Sequence, residues 1–328
     1  MNEEARTQVT ADEDGTERGP HRSGQDTGSA TTGRQFTIRN GGAEATITEL
    51  AAALRTYRRQ GTDLVQPFEA DELPPGGSGM LMAPWGNRVR DGKWVLDGNV
   101  QQLDLTEPSR GNASHGLLRN TGYAVASAAP EAVTLVGEIF PQHGFPFRMR
   151  HAATYALDAD GHLSVRQELA NLGSATAPAA FGAHPYLRVG NVPVEDLVLT
   201  VRGQRRLVAD ERLIPVGEEA VSGDTDFRDG KRVGDVRVDV AITGLEAGPD
   251  GRYEHVLAAP DGRRVALWAD KTFPYAHIFV TETYRGEPLA VAVEPMSAPA
   301  DALNSGRSLA WLETGESLVG TWGIKSRL

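Results

Sequence analysis

The chain has 328 residues, 40% of them hydrophobic, with 37 glycines, 19 prolines and no cysteine. Asp and Glu number 44 against 33 Lys and Arg, a formal charge of −11; this repels nucleic acid and anionic membrane, and no basic stripe compensates for it. Without cysteine there are no disulfides, thiolate nucleophiles or thiolate-held zinc or iron–sulfur groups, and no apolar run approaches the roughly 20 residues that span a bilayer.

Residues 1–34 are polar, rich in Gly, Ser, Thr, Asp and Glu, and nearly devoid of core formers. Such a segment cannot bury enough surface to offset its ordering entropy, so a disordered acidic N-terminal tail is expected there. Its opening, Met1-Asn2-Glu3-Glu4-Ala5-Arg6, lacks the basic and apolar regions of a signal peptide. A cytoplasmic protein is expected, and the Asn112-Ala113-Ser114 sequon is then a chance match.

From Gln35 the texture changes to short runs of alternating polarity. Phe36–Arg39, Ala45–Leu50, Leu54–Arg58, Val133–Val136, Met149–Tyr155, Leu163–Leu169, Leu197–Val201, Arg264–Trp268 and Ala276–Val280 all read as strands. Turn signals such as Asp91-Gly92, Asp160-Gly161 and Asp261-Gly262 separate them. Sustained helical periodicity, fixed-period repeats and linkers are absent. The expectation is an all-β protein: one large antiparallel β-sandwich domain over residues 35–328.

Four polar segments are set among these strands. Pro84–Trp94 offers Asn87 and Arg88 for sugar hydroxyls, and Trp85 and Trp94 for stacking on a sugar's apolar face. Ser109–Arg119 contains His115. Phe181-Gly182-Ala183-His184-Pro185-Tyr186-Leu187 puts a histidine before a proline at a strand end, and Ala292-Val293-Glu294-Pro295 puts a carboxylate between an apolar strand and a proline turn. A Glu and a His are the two groups needed to take a proton from one oxygen and give one to another. Singly, each motif has an ordinary reading, as a packing histidine, a core tryptophan or a surface Asn-Arg turn.

Together, in this order, they resemble the aldose 1-epimerase (galactose mutarotase) family. The matching wording is Asn87-Arg88-Val89, His115-Gly116, Gly182-Ala183-His184-Pro185-Tyr186, and Glu294-Pro295 followed by Pro299 and Asp301-Ala302-Leu303-Asn304, with agreement also at Gly61–Pro67 and Gly234–Asp239. The resemblance runs from about residue 40 to about residue 320. It implies a β-supersandwich and an isomerase of carbohydrate metabolism that interconverts the anomers of a free aldose without a cofactor or metal, as a monomer or weak dimer. By position, Glu294 looks like the family's general base and His184 its general acid. Asn87, Arg88, His115 and Asp239 look like the residues that bind the monosaccharide. His277 stands where the family often has Gln; both bind a hydroxyl, but only His charges near neutrality.

Other readings compete. Arg88, Arg90, Lys93, Arg110 and Arg119 lie near the presumed site in sequence and keep a hexose 6-phosphate substrate open. Glu294 with Asp239 is a candidate glycosidase pair, which would leave His184 unexplained. A non-catalytic sugar-binding sandwich would need neither Glu294 nor His184. Asp224–Gly230 begins like a calcium loop, but Arg228 takes a ligand position and Asp235 replaces the closing Glu, so a turn is expected. No Gly-x-Gly-x-x-Gly follows a strand and opens a helix.

Overall fold

The computed structural model describes residues 30–328. Residues 1–29, most of the expected tail, lie outside the described residues. Residues 30–34 do not fit that expectation: the Thr32 N–H donates to Ala70 O at 3.1 Å, the Thr31 hydroxyl donates to Asp71 O, and Thr32 is buried.

Among the described residues the chain is built of antiparallel strands, the largest sheets having nine and eight of them. Period-two sequence explains them: in Met149–Leu157 every second residue, from Met149 to Leu157, is buried and those between are more exposed. That strand pairs with Leu163–Asn171. The turn between them is closed by Asp158, whose Oδ1 accepts the N–H groups of Asp160 and His162, and by Gly161 at φ 78°. No described helix is long and apolar enough to cross a membrane.

The eight-stranded sheet carries the site. Its relevant strands are β1 (Leu81–Met82), β4 (Gly182–Ala183), β5 (Asp239–Leu245), β6 (Tyr275–Thr281) and β7 (Ala290–Met296), in the spatial order β5-β6-β7-β4-β1. A separate ladder of β2 (Arg88–Arg90) and β3 (Asn112–Ser114) is tied to its β1 end by the Ala83–Gly116 bridge. Alternation sorts the two faces of the sheet. Val240, Ile242, Ala276, Ile278, Val291 and Val293 join the main core with Leu135, Tyr155, Val165 and Trp322 of the nine-stranded sheet. Burial of each large aliphatic or aromatic side chain there contributes about 1.5–3 kcal/mol relative to exposure. The opposite register, Asp239, Ala241, Tyr275, His277, Glu294 and Met296, faces away from that core. Pro295 does not turn the chain after Glu294 as expected: it lies within β7, opposite Ala276.

Candidate active site

Position along three adjacent strands brings the site's polar groups into a row. His277 on β6 lies directly opposite Glu294 on β7, and Ala241 lies opposite His277 on β5. Asp239, two residues before Ala241, therefore shares their face, and it accepts a hydrogen bond from His277 Nε2 at 2.6 Å. On the other side of Glu294 comes His184, just beyond β4. The backbone fixes it twice: its N–H donates to Met80 O and its carbonyl accepts from Gly79 N–H, at 3.0 and 2.8 Å. Gly79 is obligatory there, at φ 71° with Leu54 O only 2.2 Å from where a Cβ would stand.

His184 Nε2 is 3.3 Å from Glu294 Oε1, and the pair is almost wholly buried, with 5% and 2% of their side chains exposed. Each keeps a buried polar atom without a partner, His184 Nδ1 and Glu294 Oε2. Buried polar atoms are normally paired, so an orphan on each member of this pair is unusual for groups that serve packing alone. Tyr186 stacks on the His184 ring at 5.1 Å and His115 meets it edge-on at 5.6 Å. His115 Nδ1 contacts Met82 Sδ at 2.8 Å.

The far wall comes from β2 and the loop before it. Asn87 is buried at φ 53°, and its carbonyl accepts from the His115 N–H at 2.7 Å. Arg88 donates through Nε and Nη2 to Glu107, through Nη1 to Asn87 Oδ1 at 3.2 Å, and approaches Asp239 at 3.5 Å. Asp301 locks β2 from behind: its carboxylate accepts from Arg90 N–H and its own N–H donates to Arg88 O. A cleft lined by Asn87, Asp239 and His277, with Leu207, Pro215 and Ala300, opens on this row.

The charges are unequal. Burial drives the His184 pKa below the ordinary imidazole value, with Glu294 opposing, and drives His115 well below it, with His184 adding to the effect. Burial also works against the charged form of His277, but Glu294 and then Asp239 outweigh it, and its pKa is raised. Burial would raise Asp239; its hydrogen bond from His277, the His277 charge and Arg88 instead hold it down to about 2. Asp239 is thus an anion, and His277 is the most easily protonated of the three histidines.

The seven residues singled out as catalytic or sugar-binding, Asn87, Arg88, His115, His184, Asp239, His277 and Glu294, form one network of contacts, and Asn87, Asp239 and His277 line the cleft. The tryptophans do not. Trp85 packs on Phe145 at 6.0 Å with an unpartnered Nε1, and Trp94 donates its Nε1–H to Gly144 O at 2.8 Å; both are core residues. Met82, Glu107 and Tyr186 were missed, and only Tyr186 had any signal, its place beside His184. The calcium-like segment holds a turn with Asp226 paired to Arg228 at 2.7 Å.

The family model described as aldose 1-epimerase matches residues 34–325. The uncharacterized Escherichia coli (strain K12) protein YihR is 29% identical over 289 residues, 87% of this chain and 90% of its own. Among solved structures, the GalM/aldose epimerase homologue from C. elegans superposes with a TM-score of 0.79 at 17% identity, covering 89% of this chain and 98% of that one. Galactose 1-epimerase from Lactobacillus acidophilus NCFM gives 0.74 at 20% identity, covering 89% and 93%. At these identities the structural likeness concerns the fold, a galactose mutarotase-like β-sandwich.

Proposed function

The chain belongs to the aldose 1-epimerase family of sugar isomerases, and we propose that it interconverts the α and β anomers of a free aldose by acid–base ring opening and reclosure. The observation that carries this reading is the buried His184–Glu294 contact of 3.3 Å with one orphaned polar atom on each partner. Glu294 takes the proton of the C1 hydroxyl while His184, reacting in the protonated form that its burial disfavours, gives its proton to the ring oxygen. The C1–O5 bond opens to the aldehyde, rotation about C1–C2 turns over the carbonyl, and the reverse transfers close the ring on the other face. Burial makes His184 a stronger acid once protonated, and positioned acid–base groups typically contribute about 10²–10⁴-fold. Asn87, Arg88, His115, Asp239 and His277 bind the remaining hydroxyls.

A free aldose is favoured over a 6-phosphate because the nearby arginines are committed to partners within the chain. Arg88 and Arg110 pair with Glu107, Arg90 with Asp210, and Arg119 with the Ser114 hydroxyl. A phosphate would have to compete with those carboxylates. Glycoside hydrolysis fits poorly, since it would leave His184, in contact with Glu294, without a role; Asp239, held down to about 2, could act there only as the ionised partner and not as the acid.

Polarimetry on freshly dissolved aldoses, free and 6-phosphorylated, tests the reading with protein that has been exhaustively chelated. Faster mutarotation of a free aldose, little affected by added salt, is expected. Activity lost on chelation and restored by metal, or confined to phosphorylated sugars, would overturn it.

A further inference from the structure

Glu294 is flanked by two imidazoles, and the acid–base reading uses only one. His184 sits against Oε1 on one side. His277 is the directly opposed residue on the neighbouring strand, and directly opposed residues on antiparallel strands have Cβ atoms about 4.5–5.5 Å apart. An oxygen that hands its proton to Glu294 therefore lies within reach of the His277 ring. The Nε2 of that ring is taken by Asp239 at 2.6 Å, which leaves Nδ1 for a ligand, and His277 lines the cleft. Resting on that reading, we propose that His277 is a catalytic residue: it donates a charged hydrogen bond from Nδ1 to the C1 oxygen from which Glu294 removes the proton, with Asp239 as its positioning residue.

The chemistry needs such a donor. When the C1 O–H bond breaks, its proton goes to Glu294 and the oxygen is left negative until its electron pair forms the carbonyl as C1–O5 breaks and O5 takes the His184 proton. His277 keeps its own proton throughout and stabilises that transient charge, as a fixed donor does at a developing oxyanion. A neutral amide at this position would bind the hydroxyl without supplying charge. The groups facing His277 settle its charge. Glu294 on β7 and Asp239 on β5 favour the imidazolium, Arg88 on β2 opposes it, and His184 and His115 are both held towards neutrality.

The test is the pH profile of anomer exchange. A raised pKa means the charge is kept to higher pH and lost as pH rises through it, so kcat/KM of the wild type should show an alkaline step above the ordinary imidazole value, distinct from any step of His184 below that value. His277→Gln should lower kcat about 10-fold or more with a smaller change in KM, and should abolish the upper step while leaving the lower one. Asp239→Asn, which removes the charge that holds the proton, should move the upper step to lower pH. A wild-type profile with no upper step overturns the proposal without recourse to any variant. If the wild type exchanges anomers, Glu294→Gln abolishes exchange, and His277→Gln leaves rate and profile unchanged, only the role of His277 falls. If the wild type exchanges no aldose, the acid–base reading itself falls and His277 goes with it.

Discussion

Glu294 is 1% exposed, yet its Oε2 has no hydrogen-bond partner and its other oxygen faces only an imidazole at 3.3 Å. A carboxylate kept for structure would normally have both oxygens satisfied, because leaving a buried polar group unpaired costs about 1–3 kcal/mol. Glu294→Gln keeps the shape and cannot take the C1 proton, so kcat should fall about 10²-fold or more with the thermal midpoint unchanged or raised. Near-normal turnover with a lowered midpoint would instead make Glu294 a structural anchor. At this scale the sequence was informative where chemistry is tied to a local signature: His184 before Pro185 and Glu294 before Pro295 are visible as residue types in unusual company. Met82 against His115, Glu107 under Arg88 and the stack of Tyr186 on His184 are contacts between segments far apart in the chain. No local pattern encodes them. Trp85 and Trp94 were misleading for the same reason, since whether an indole meets a sugar or Phe145 is decided by the tertiary packing.

Between elements, one half-buried ion pair holds the β2–β3 ladder in shape. Arg88 and Glu107 form a two-pronged pair with 12% and 16% of their side chains exposed, and Arg110 and Asn112 also donate to Glu107. Glu107→Gln removes a charge from under three donors, and a loss of about 1.5–3 kcal/mol in urea unfolding is expected. Asp210→Asn, which breaks the more exposed Arg90 pair, should change stability by no more than about 1 kcal/mol. Equal effects of the two substitutions would mean that burial of the Arg88 pair contributes nothing. The long strands were legible because their own residues alternate, as in Met149–Leu157 and Leu163–Asn171. Two-residue strands such as β1 and β4 have too few residues to show a period. They are strands only because β7 and each other supply their partners. Pro295 read as a turn because a proline removes a ladder donor; within β7 the neighbouring residues keep the pairing with β6 going past it.

Across the whole molecule, acid should act through buried histidines, including two that the site does not use. His151 and His255 are buried in the nine-stranded sheet, and burial lowers both to about 4. The sign follows from linkage: the unfolded chain, with imidazoles near 6.5, binds protons that the folded chain refuses. Their contribution is therefore fully present above about 6.5 and is lost as pH falls towards 4. While it is being lost, each histidine contributes a slope of up to about 1.4 kcal/mol per pH unit. His277 acts in the opposite sense. Its raised pKa adds stability below the unfolded imidazole value that disappears as pH rises through the folded one; His115 and His184, also lowered, act in the same sense as His151 and His255, so four histidines oppose one and acid still destabilises. His255 is the better residue to change, because its Nδ1 has no partner, whereas replacing His151 would orphan Tyr123 and Gln167. With His255→Leu the fall in thermal midpoint between pH 6.5 and 4 should be clearly shallower than in the wild type, followed by calorimetry at matched ionic strength. Parallel curves for the two proteins would show that His255 is not held neutral by the fold, and acid sensitivity would then have to come from the other groups.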